Sequence, residues 1–566
     1  MPHEADTAQA HGLAWRIVPG FAPTLSRVDL ERARRPDALS AQERVKDNTV
    51  RSVVRLPDPD RPDGPGLYVK RYKFRSRTER LRHLLLPTKP HVEWRACRLL
   101  RRAGIPTCDV LAIAVRRRHG LPQEGFLISR EVADAVSLAA YLRTRPPAAP
   151  EADELVAELA DITVRLARAG LYHDDYHTGN LLIRPAAPPG ERLFVVDQHS
   201  IHRRRPTPRR MLDMLSMLTR SSGLPGASAE DARPLLRAVV HRWTGQSEPP
   251  EGLVDGWAGG LSRIQRRQHR THMRSRTRRC LKESSLFTTD RADGFGIHRR
   301  RDFDLQAVLD AVRRHGEAVR GARPDARVQR TGRRTEVTIV PGDRVPPFDV
   351  SRPAAPELRR QGPVCVKSFR RDSLGERLKD AGRLRGRARA MWVAARGFAV
   401  RGIPSVRPLA LLESRYALSG APDYVVMEAP DADGTLCELA ASEALDAAAR
   451  RRLSEAVAGL LNRLADEEVY HRDTKPTNVL VRREGNGFRL WLVDLDRVRF
   501  DRPLTHGLWV KCLARLNAGI PGRVGLLDRM RCLRLCGRGR WAAAERLSIA
   551  REVYALSLTR SVAWKT

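Results

Sequence analysis

One eight-residue pattern occurs twice in this 566-residue chain and constrains its fold more than any other feature. The copies span residues 173–180 and 471–478, and both read H-x-D-x-x-x-x-N. Each copy continues into three apolar residues, which is typical of a strand. A second short apolar run follows and ends in an aspartate, Asp197 after the first copy and Asp494 after the second. This spacing predicts two polar loops, each facing the end of a neighbouring strand.

The side chains in these loops suit phosphoryl transfer from a magnesium–nucleotide complex. The third position, Asp175 or Asp473, is suited to accept the proton of an attacking hydroxyl. The asparagine five residues later and the strand-end aspartate offer the hard oxygen ligands that Mg²⁺ prefers. A plain polar turn before a strand is the alternative, but two copies with the same downstream aspartate favour a catalytic loop. The predicted metal ligands are Asn180, Asp197, Asn478 and Asp494.

The two loops belong to a longer internal repeat. The residue numbers differ by 298 between Asp175 and Asp473 and by 297 between Lys70 and Lys367. An offset held to one residue over so long a span predicts two copies of one fold. We therefore expect an α+β protein of two tandem protein-kinase-like domains, each with a β-rich N-lobe and a helical C-lobe. The expected ranges are an N-terminal extension at 1–40, a first domain at 41–260 and a second domain at 261–566.

A lysine ends a predicted strand upstream of each loop. In a kinase-like N-lobe such a lysine, here Lys70 or Lys367, contacts the nucleotide phosphates. The next predicted helix carries Glu93, which we expect to pair with Lys70. The corresponding position in the second copy is Met391, which cannot form an ion pair. Either another acid, such as Glu376, replaces it, or the second domain binds nucleotide differently or poorly.

Further candidate residues follow from their positions in the repeat. Lys475 lies two residues after the second loop aspartate, where it can contact the transferred phosphate, and His177 holds that place in the first loop. Glu131 and Glu428 end the strands that lead to the expected adenine-binding connector, so we include them among the cofactor-binding residues. Asp496 is a candidate for supporting the metal or Arg497, with a turn residue as the alternative.

Neither domain contains the G-x-G-x-x-G loop that covers phosphates in many kinases. Residues 279–287 echo residues 44–50, because both read apolar, lysine, acid, polar, polar, apolar. We expect both segments to form the first strand of an N-lobe, with the turns at 46–49 and 282–285 covering the phosphates. Plain edge turns are the alternative. Residues 305–319 are predicted to form a helical insertion.

The net charge of +37 favours anionic partners, either a phosphorylated glycolipid, an acidic membrane face or nucleic acid. The chain contains ten lysines and 93 arginines, so GC-rich codon usage is an alternative explanation for the charge. No apolar stretch is long enough to span a membrane, and the N-terminus does not resemble a secretion signal. The eight cysteines are scattered, which favours reduced thiols in a cytoplasmic protein.

Together these motifs resemble the bacterial lipopolysaccharide kinase family, which includes heptose kinases and 3-deoxy-manno-octulosonic acid kinases. The resemblance rests on both loops and covers about residues 40–215 and 275–500. Asp197-Gln198-His199 resembles the Asp-Leu-His of heptose kinases, whereas residues 493–497 are more similar to sugar-acid kinases. The first loop is also similar to that of aminoglycoside phosphotransferases. The other segments that carry the resemblance are 70–72, 93–96 and 104–106.

This resemblance implies an ATP-dependent kinase that phosphorylates a sugar hydroxyl of lipopolysaccharide core at the cytoplasmic membrane face, with ATP and Mg²⁺ as cofactors. The implied partner is lipopolysaccharide core or another anionic glycolipid, with peripheral contact to an anionic membrane surface. Nucleic acid is not expected as a partner, because the chain has no recognisable nucleic-acid motif. Two alternatives remain open: a protein or small-molecule kinase of the same fold, and a second domain that acts as a regulatory pseudokinase.

Overall fold

The chain forms two compact units, Met1–Gln268 and His269–Thr566. The structure, a computed structural model, describes most of both units. The residues it does not describe are 1–4, 36–38, 41–42, 48–49, 75, 323–325, 332–333, 342–362, 371–385, 416–419, 443–444 and 561–566.

The first unit begins with a seven-stranded antiparallel sheet whose strand order is β1-β2-β6-β7-β5-β4-β3. The strands are β1 (Asp6–Ala10), β2 (Leu13–Ile17), β3 (Arg44–Asp47), β4 (Arg51–Leu56), β5 (Leu67–Lys73), β6 (Val110–Arg118) and β7 (Leu121–Arg130). The helices of this lobe are α1 (Ala22–Arg27), α2 (Leu30–Arg34), α3 (Arg77–Leu85) and α4 (Lys89–Arg102). Lys70 on β5 lies between Val53 of β4 and Leu127 of β7 in the register.

The rest of the first unit is mainly helical. Its helices are α5 (Leu138–Thr144), α6 (Ala149–Arg168), α7 (Pro208–Ser221), α8 (Arg233–Thr244) and α9 (Glu251–Arg278), the last of which continues into the second unit. Its short strands are β8 (Val136–Ser137), β9 (Leu171–His173), β10 (Leu181–Ile183), β11 (Leu193–Val195) and β12 (Ile201–Arg203). The 4-3-4 spacing of apolar residues on α6 buries one face of the helix. The buried residues with that spacing are Leu155, Leu159, Ile162 and Leu166.

The second unit repeats the same sheet. Its strand order is β13-β14-β18-β19-β17-β16-β15, which matches the first sheet position by position. The strands are β13 (Phe287–Ala292), β14 (Phe295–Arg300), β15 (Arg327–Thr331), β16 (Thr335–Val340), β17 (Val364–Phe369), β18 (Pro408–Ser414) and β19 (Asp423–Glu428). Lys367 on β17 lies between Val337 of β16 and Val425 of β19, as Lys70 does between its neighbours.

The helical part of the second unit also follows the first. The helices that accompany the sheet are α10 (Leu305–Val319) and α11 (Arg387–Val400). The helices that follow the sheet are α12 (Leu436–Ala440), α13 (Ala447–Asp466), α14 (His506–Gly519), α15 (Leu526–Cys536) and α16 (Ala543–Leu558). Its short sheet contains β20 (Gly434–Thr435), β21 (Val479–Glu484) and β22 (Gly487–Leu492). The predicted helix at 305–319 is confirmed as α10. The predicted α+β architecture, a β-rich lobe followed by a helical lobe in each of two units, is also confirmed.

The N-terminal residues differ from the loose extension expected at 1–40. Strands β1 and β2 extend the first sheet through pairing of β2 with β6. Leu13, Trp15 and Ile17 alternate with exposed residues and are each at most 4% exposed, so they belong to the core of this lobe. The five-residue alternation was too short to stand out in the sequence, yet it buries one complete strand face.

The expected match between residues 279–287 and 44–50 is wrong. Residues Arg279–Leu281 form a 3₁₀ turn, and the strand that follows is an edge strand, β13, equivalent to β1. The counterpart of the β3–β4 hairpin is instead the β15–β16 hairpin, at the opposite edge of the second sheet. The turn at 282–285 is therefore on the wrong edge to cover phosphates. The first candidate turn, at 46–49, includes two residues that lie outside the described part of the chain.

Within the described part of the chain, no helix combines the length and apolar character needed to cross a membrane.

Candidate active site

The first loop is held by two hydrogen bonds from one amide group. Asn180 Nδ2 donates to the backbone oxygen of Asp175 at 2.8 Å and to its Oδ2 at 3.1 Å. This orientation leaves the carbonyl oxygen of Asn180 as the side-chain atom suited to a hard cation. The backbone of Asn180 also accepts a hydrogen bond from the Val196 amide at 3.0 Å. Because Val196 precedes Asp197, the loop and the strand-end aspartate lie side by side.

A buried histidine fixes the backbone of this loop. His173 Nδ1 accepts the Asp175 amide hydrogen at 3.1 Å, so its Nε2 carries the proton and donates to the Val196 oxygen at 3.1 Å. Burial lowers the pKa of His173 and keeps the ring neutral. The histidine therefore ties the Asp175 backbone to the strand end that precedes Asp197.

The lysine–glutamate pair predicted for the first unit is present. Lys70 Nζ donates to Glu93 Oε2 at 2.7 Å, and Tyr72 Oη donates to the other carboxylate oxygen. Glu93 is fully buried. Burial opposes the charged form of Lys70, but the Glu93 carboxylate, with Asp197, raises the pKa of Lys70 above its ordinary value. Burial, reinforced by Glu93, raises the pKa of Tyr72 well above 10.0.

Asp197 contacts an arginine and a histidine. Arg51 Nη1 lies 3.1 Å from Asp197 Oδ1, and His199 Nδ1 lies 2.8 Å from the same atom. Burial alone would raise the pKa of Asp197, but His199, then Lys70 and Arg51, lower it well below its usual range. Asp197 also adopts a left-handed backbone conformation, with φ 60° and ψ 48°. The carboxylate is therefore ionised and held in the same cluster as Lys70 and Glu93.

The second loop repeats the first almost atom for atom. Asn478 Nδ2 donates to the Asp473 oxygen at 2.9 Å and to its Oδ2 at 3.3 Å. The backbone oxygen of Asn478 accepts a hydrogen bond from the Val493 amide at 3.0 Å. His471 bridges the Asp473 amide and the Val493 oxygen, both at 3.3 Å. Both loops thus share one hydrogen-bonding arrangement.

The lysine of the second unit has a different partner. Lys367 Nζ donates to Asp494 Oδ1 at 2.6 Å. Met391 on α11 occupies the position of the helix glutamate and is buried. The replacement acid considered from the sequence, Glu376, lies outside the described residues. Asp496 pairs with Arg387 on α11 at 2.8 Å, not with Arg497.

The remaining predicted residues divide between the loops and the connector strands. His177 Nε2 lies 3.4 Å from Asp175 Oδ2, and Lys475 Nζ lies 3.1 Å from Asp473 Oδ2. Both side chains therefore adjoin the loop aspartates. A Cβ at Gly179 would lie 2.8 Å from the His177 ring, so a larger residue there would displace that ring.

The two connector glutamates are not drawn into these clusters. Glu131 accepts two hydrogen bonds from Arg55, each at 2.8 Å, and one from the Gly66 amide at 2.7 Å. Its side chain therefore ties β7 to β4 and to the start of β5. Glu428 Oε2 lies 3.9 Å from Arg407 Nε at the end of β19.

The sequence did not assign a site role to two members of the first cluster, Arg51 and Tyr72. Arg51 lies opposite Tyr72 in the β4–β5 register, two positions from the pair formed by Val53 and Lys70. The sequence signal for these residues is the alternation of side chains along each strand. This alternation puts Arg51 and Tyr72 on the face of the sheet that carries Lys70. In the sequence, His199 stands out only as part of Asp197-Gln198-His199, the segment that resembles heptose kinases.

The oxygen donors of each loop fit a divalent cation. In the first unit a backbone hydrogen bond joins Asn180 to Val196, the residue before Asp197, and an asparagine carbonyl and an ionised aspartate are both hard ligands of the type Mg²⁺ takes. Within the described residues, Glu93, Asp197 and His199 also present ligand atoms within 4.8 Å of one another. Glu93 is already paired with Lys70, so the asparagine–aspartate pair is the better match to a nucleotide-bound cation.

Comparison with a family model and with known proteins identifies the family of this chain. The model of the lipopolysaccharide kinase (Kdo/WaaP) family matches residues 28–238 and 364–516, together more than half of the chain. The lipopolysaccharide core heptose(I) kinase WaaP of Pseudomonas aeruginosa is 28% identical over 223 residues, which cover 38% of this chain and 81% of that protein. A solved structure of WaaP in complex with acyl carrier protein is 23% identical with a TM-score of 0.33, covering 44% of this chain and 95% of that one. The chain belongs to the lipopolysaccharide kinase (Kdo/WaaP) family and is a kinase that phosphorylates a sugar hydroxyl.

Proposed function

We propose that the protein transfers the γ-phosphoryl group of Mg-ATP to a sugar hydroxyl of lipopolysaccharide core at the cytoplasmic face of the membrane. The observation that carries this proposal is the first-unit cluster. There Lys70 is paired with Glu93 and is influenced by the charge of Asp197. Val196, which precedes Asp197, donates a backbone hydrogen bond to Asn180 of the loop. Family membership supports a sugar as the acceptor, and the cluster supports a nucleoside triphosphate as the phosphoryl donor.

Asp175 is the group that orients and deprotonates the acceptor hydroxyl. Its backbone is fixed by His173, and its carboxylate receives a hydrogen bond from Asn180 at 3.1 Å. Its side chain is more than half exposed, so an acceptor can reach it. A positioned general base of this kind contributes about 10²–10⁴-fold to the rate.

The nucleotide is held by charges that the first unit already orients. Lys70, fixed by Glu93, steadies the phosphates of ATP. Asn180 and Asp197 hold Mg²⁺, which neutralises charge on the phosphates when bound. Since little covalent chemistry is required of the protein, most of the rate enhancement comes from positioning and charge neutralisation.

Replacement of the loop aspartates tests the proposal. We expect the double variant Asp175→Asn/Asp473→Asn to lose ATP-dependent phosphate labelling of core oligosaccharide, with a fall of at least about 100-fold. The matched control is Asp174→Asn, because Asp174 is the exposed neighbour in the same loop and pairs with His202 at 2.9 Å. Wild-type labelling by the double variant would rule out the mechanism.

A second role, that of a regulatory pseudokinase, is a candidate for the second unit. It is favoured by Met391 in place of the helix glutamate and by the direct pairing of Lys367 with Asp494. If the second unit regulates, Asp175→Asn alone abolishes labelling and Asp473→Asn alone leaves turnover near the wild-type rate. If both units catalyse, each single variant retains part of the labelling.

The acceptor is tested separately from the catalytic residues. Mass spectrometry of lipopolysaccharide core from a deletion strain should reveal one missing phosphate group. Complementation with the Asp175→Asn/Asp473→Asn double variant should not restore it. An unchanged core would instead favour a protein or small-molecule acceptor for the same fold.

A further inference from the structure

Helix α3 exposes a row of leucines on the sheet lobe of the first unit. Leu81, Leu84 and Leu85 lie at positions i, i+3 and i+4, which puts them on one face of the helix, and Leu86 follows directly. Their exposed fractions are 55%, 53%, 93% and 48%. We call these four residues the leucine ridge. Adjacent large apolar side chains left in water indicate a surface that binds something.

The other side of α3 is attached to the sheet. Ser76 caps the helix by accepting the Glu79 amide hydrogen at 3.1 Å. The ring of His83 packs edge-on against Phe74 at 5.3 Å, and Arg80 Nε donates to the Phe74 oxygen at 2.7 Å. No residue of α3 is buried, so these contacts fix the helix while its leucines point outward.

Basic side chains flank the leucine ridge. Arg77 and Arg82 are exposed on α3, and residues 116–118 of the neighbouring β6–β7 hairpin are three further exposed arginines. The hairpin adjoins the ridge, because a Cβ at Gly120 would lie 3.8 Å from Leu84 Cδ2. An apolar row bordered by arginines complements a surface with anionic groups above an apolar layer.

We propose that α3 is an interfacial anchor that docks the first unit on an anionic phospholipid surface. The leucine ridge enters the boundary between headgroups and acyl chains, and the flanking arginines contact lipid phosphates. Apolar residues with a basic border are the pattern by which short helices lie in a membrane interface. Each arginine near such a surface adds attraction that falls away as salt is raised.

The position of α3 gives the anchor a role in catalysis. Along the chain the helix follows β5, which carries Lys70, and precedes α4, which carries Glu93. Docking through α3 therefore attaches the lobe that carries Lys70 and Glu93 to the lipid surface, where a glycolipid acceptor is confined. This role rests on the proposed function, but the docking itself does not.

Vesicle co-sedimentation of the full chain tests the anchor. We expect binding to vesicles of phosphatidylcholine with phosphatidylglycerol and at least about tenfold weaker binding to phosphatidylcholine alone. Leu81→Ser/Leu84→Ser/Leu85→Ser should weaken binding to the anionic vesicles at least tenfold. Arg77→Gln/Arg82→Gln should weaken it about fivefold for each arginine at low salt. The matched control is Leu547→Ser/Leu558→Ser, which changes exposed leucines of α16.

Activity assays separate the anchor from the catalytic proposal. The triple leucine variant should phosphorylate water-soluble, deacylated core oligosaccharide at the wild-type rate but phosphorylate vesicle-embedded lipopolysaccharide at least tenfold more slowly. The double variant Asp175→Asn/Asp473→Asn should bind vesicles like the wild type and phosphorylate neither substrate. Activity retained by this double variant on both substrates would contradict the catalytic proposal alone.

Three results would overturn the anchor. The first is wild-type vesicle binding by the triple leucine variant. The second is equal weakening by the α16 control, which would mean that no particular leucines matter. The third is equal binding to neutral and anionic vesicles. Because none of the substituted leucines is buried, thermal unfolding should be unchanged in each variant.

Discussion

Asp197 and Asp494 share one backbone conformation but have different side-chain contacts. Both adopt left-handed dihedral angles, φ 60° and ψ 48° in the first and φ 59° and ψ 56° in the second. A non-glycine residue in this region costs on the order of 1–3 kcal/mol and persists where its surroundings hold it. In the first unit Arg51 and His199 contact the aspartate, whereas Lys367 does so in the second. The lysine is therefore available to a helix glutamate only in the first unit.

Removal of the Glu93 charge is predicted to impair the first unit specifically. In Glu93→Gln the buried amide no longer balances Lys70, so the lysine leaves its position and phosphoryl transfer falls about 100-fold. Loss of one member of a buried ion pair should also destabilise the unit by about 3–5 kcal/mol. Initial-rate assays and denaturant titration measure the two effects. The exposed Glu230→Gln provides a control of the same chemistry, and similar losses in that variant would contradict the prediction.

At the level of elements, the N-terminal hairpin is predicted to be essential to the first sheet. Trp15 is 1% exposed and donates its indole hydrogen to the Ala10 oxygen at 3.0 Å. Trp15→Ala should therefore lower the free energy of unfolding by about 3–5 kcal/mol. The neighbouring Arg16 is exposed, so Arg16→Ala should change it by less than about 0.5 kcal/mol. Circular dichroism during denaturant titration distinguishes the two; equal transitions would indicate a loosely attached extension.

A buried histidine on α10 is predicted to make the second unit sensitive to acid. His315 is 2% exposed, and its Nδ1 lies 2.8 Å from Thr338 Oγ1. Burial lowers the pKa of His315 from 6.5 to about 4, an effect that Glu336 opposes. The unfolded chain therefore binds a proton below pH 6.5 that the folded unit does not, and stability falls as the pH drops toward 4.

The comparison of His315→Gln with the wild type isolates this contribution. Between pH 7 and pH 5 the wild type should lose roughly 2 kcal/mol more stability than the variant. Denaturant titration at the two pH values measures the difference, whatever the stability of the variant at neutral pH. Identical losses would show that His315 is not the group that titrates.

The sequence revealed those elements whose signal is local. The polar loops, the Lys70 strand and the helix at 305–319 each follow from a motif or a periodicity within about 15 residues. The order of strands in a sheet depends on pairing between distant segments, so the echo between residues 279–287 and 44–50 was misleading. The contact of Arg51 with Asp197 joins residues 146 positions apart and depends on the same register.

At the level of the whole molecule, one fold occurs twice with unequal sites. Both units keep the loop aspartate, the asparagine and the strand-end aspartate in the same hydrogen-bonding arrangement. The second unit has Met391 in place of the helix glutamate, and it has Lys475 beside its loop aspartate. The loops are therefore alike while the contacts of Lys70 and Lys367 differ, which is the difference expected if only the first unit is the catalyst we propose.

The net charge of +37 is predicted to govern how the protein finds its acceptor. Attraction between a basic protein and a polyanionic glycolipid raises the association rate and weakens as salt shortens the screening distance to about 8 Å at 0.15 M. The KM for lipopolysaccharide should therefore rise at least about tenfold between 0.05 and 0.3 M potassium chloride, with kcat nearly unchanged.

A core oligosaccharide stripped of its phosphates serves as the control acceptor for this prediction. Its KM should change by less than about twofold over the same salt range, because it carries little charge to attract the arginines. Measuring both acceptors at a saturating, fixed concentration of Mg-ATP cancels the effect of salt on the nucleotide. If the KM for lipopolysaccharide proves as insensitive to salt as that of the control, the 93 arginines reflect the composition of the chain and not recognition of the acceptor.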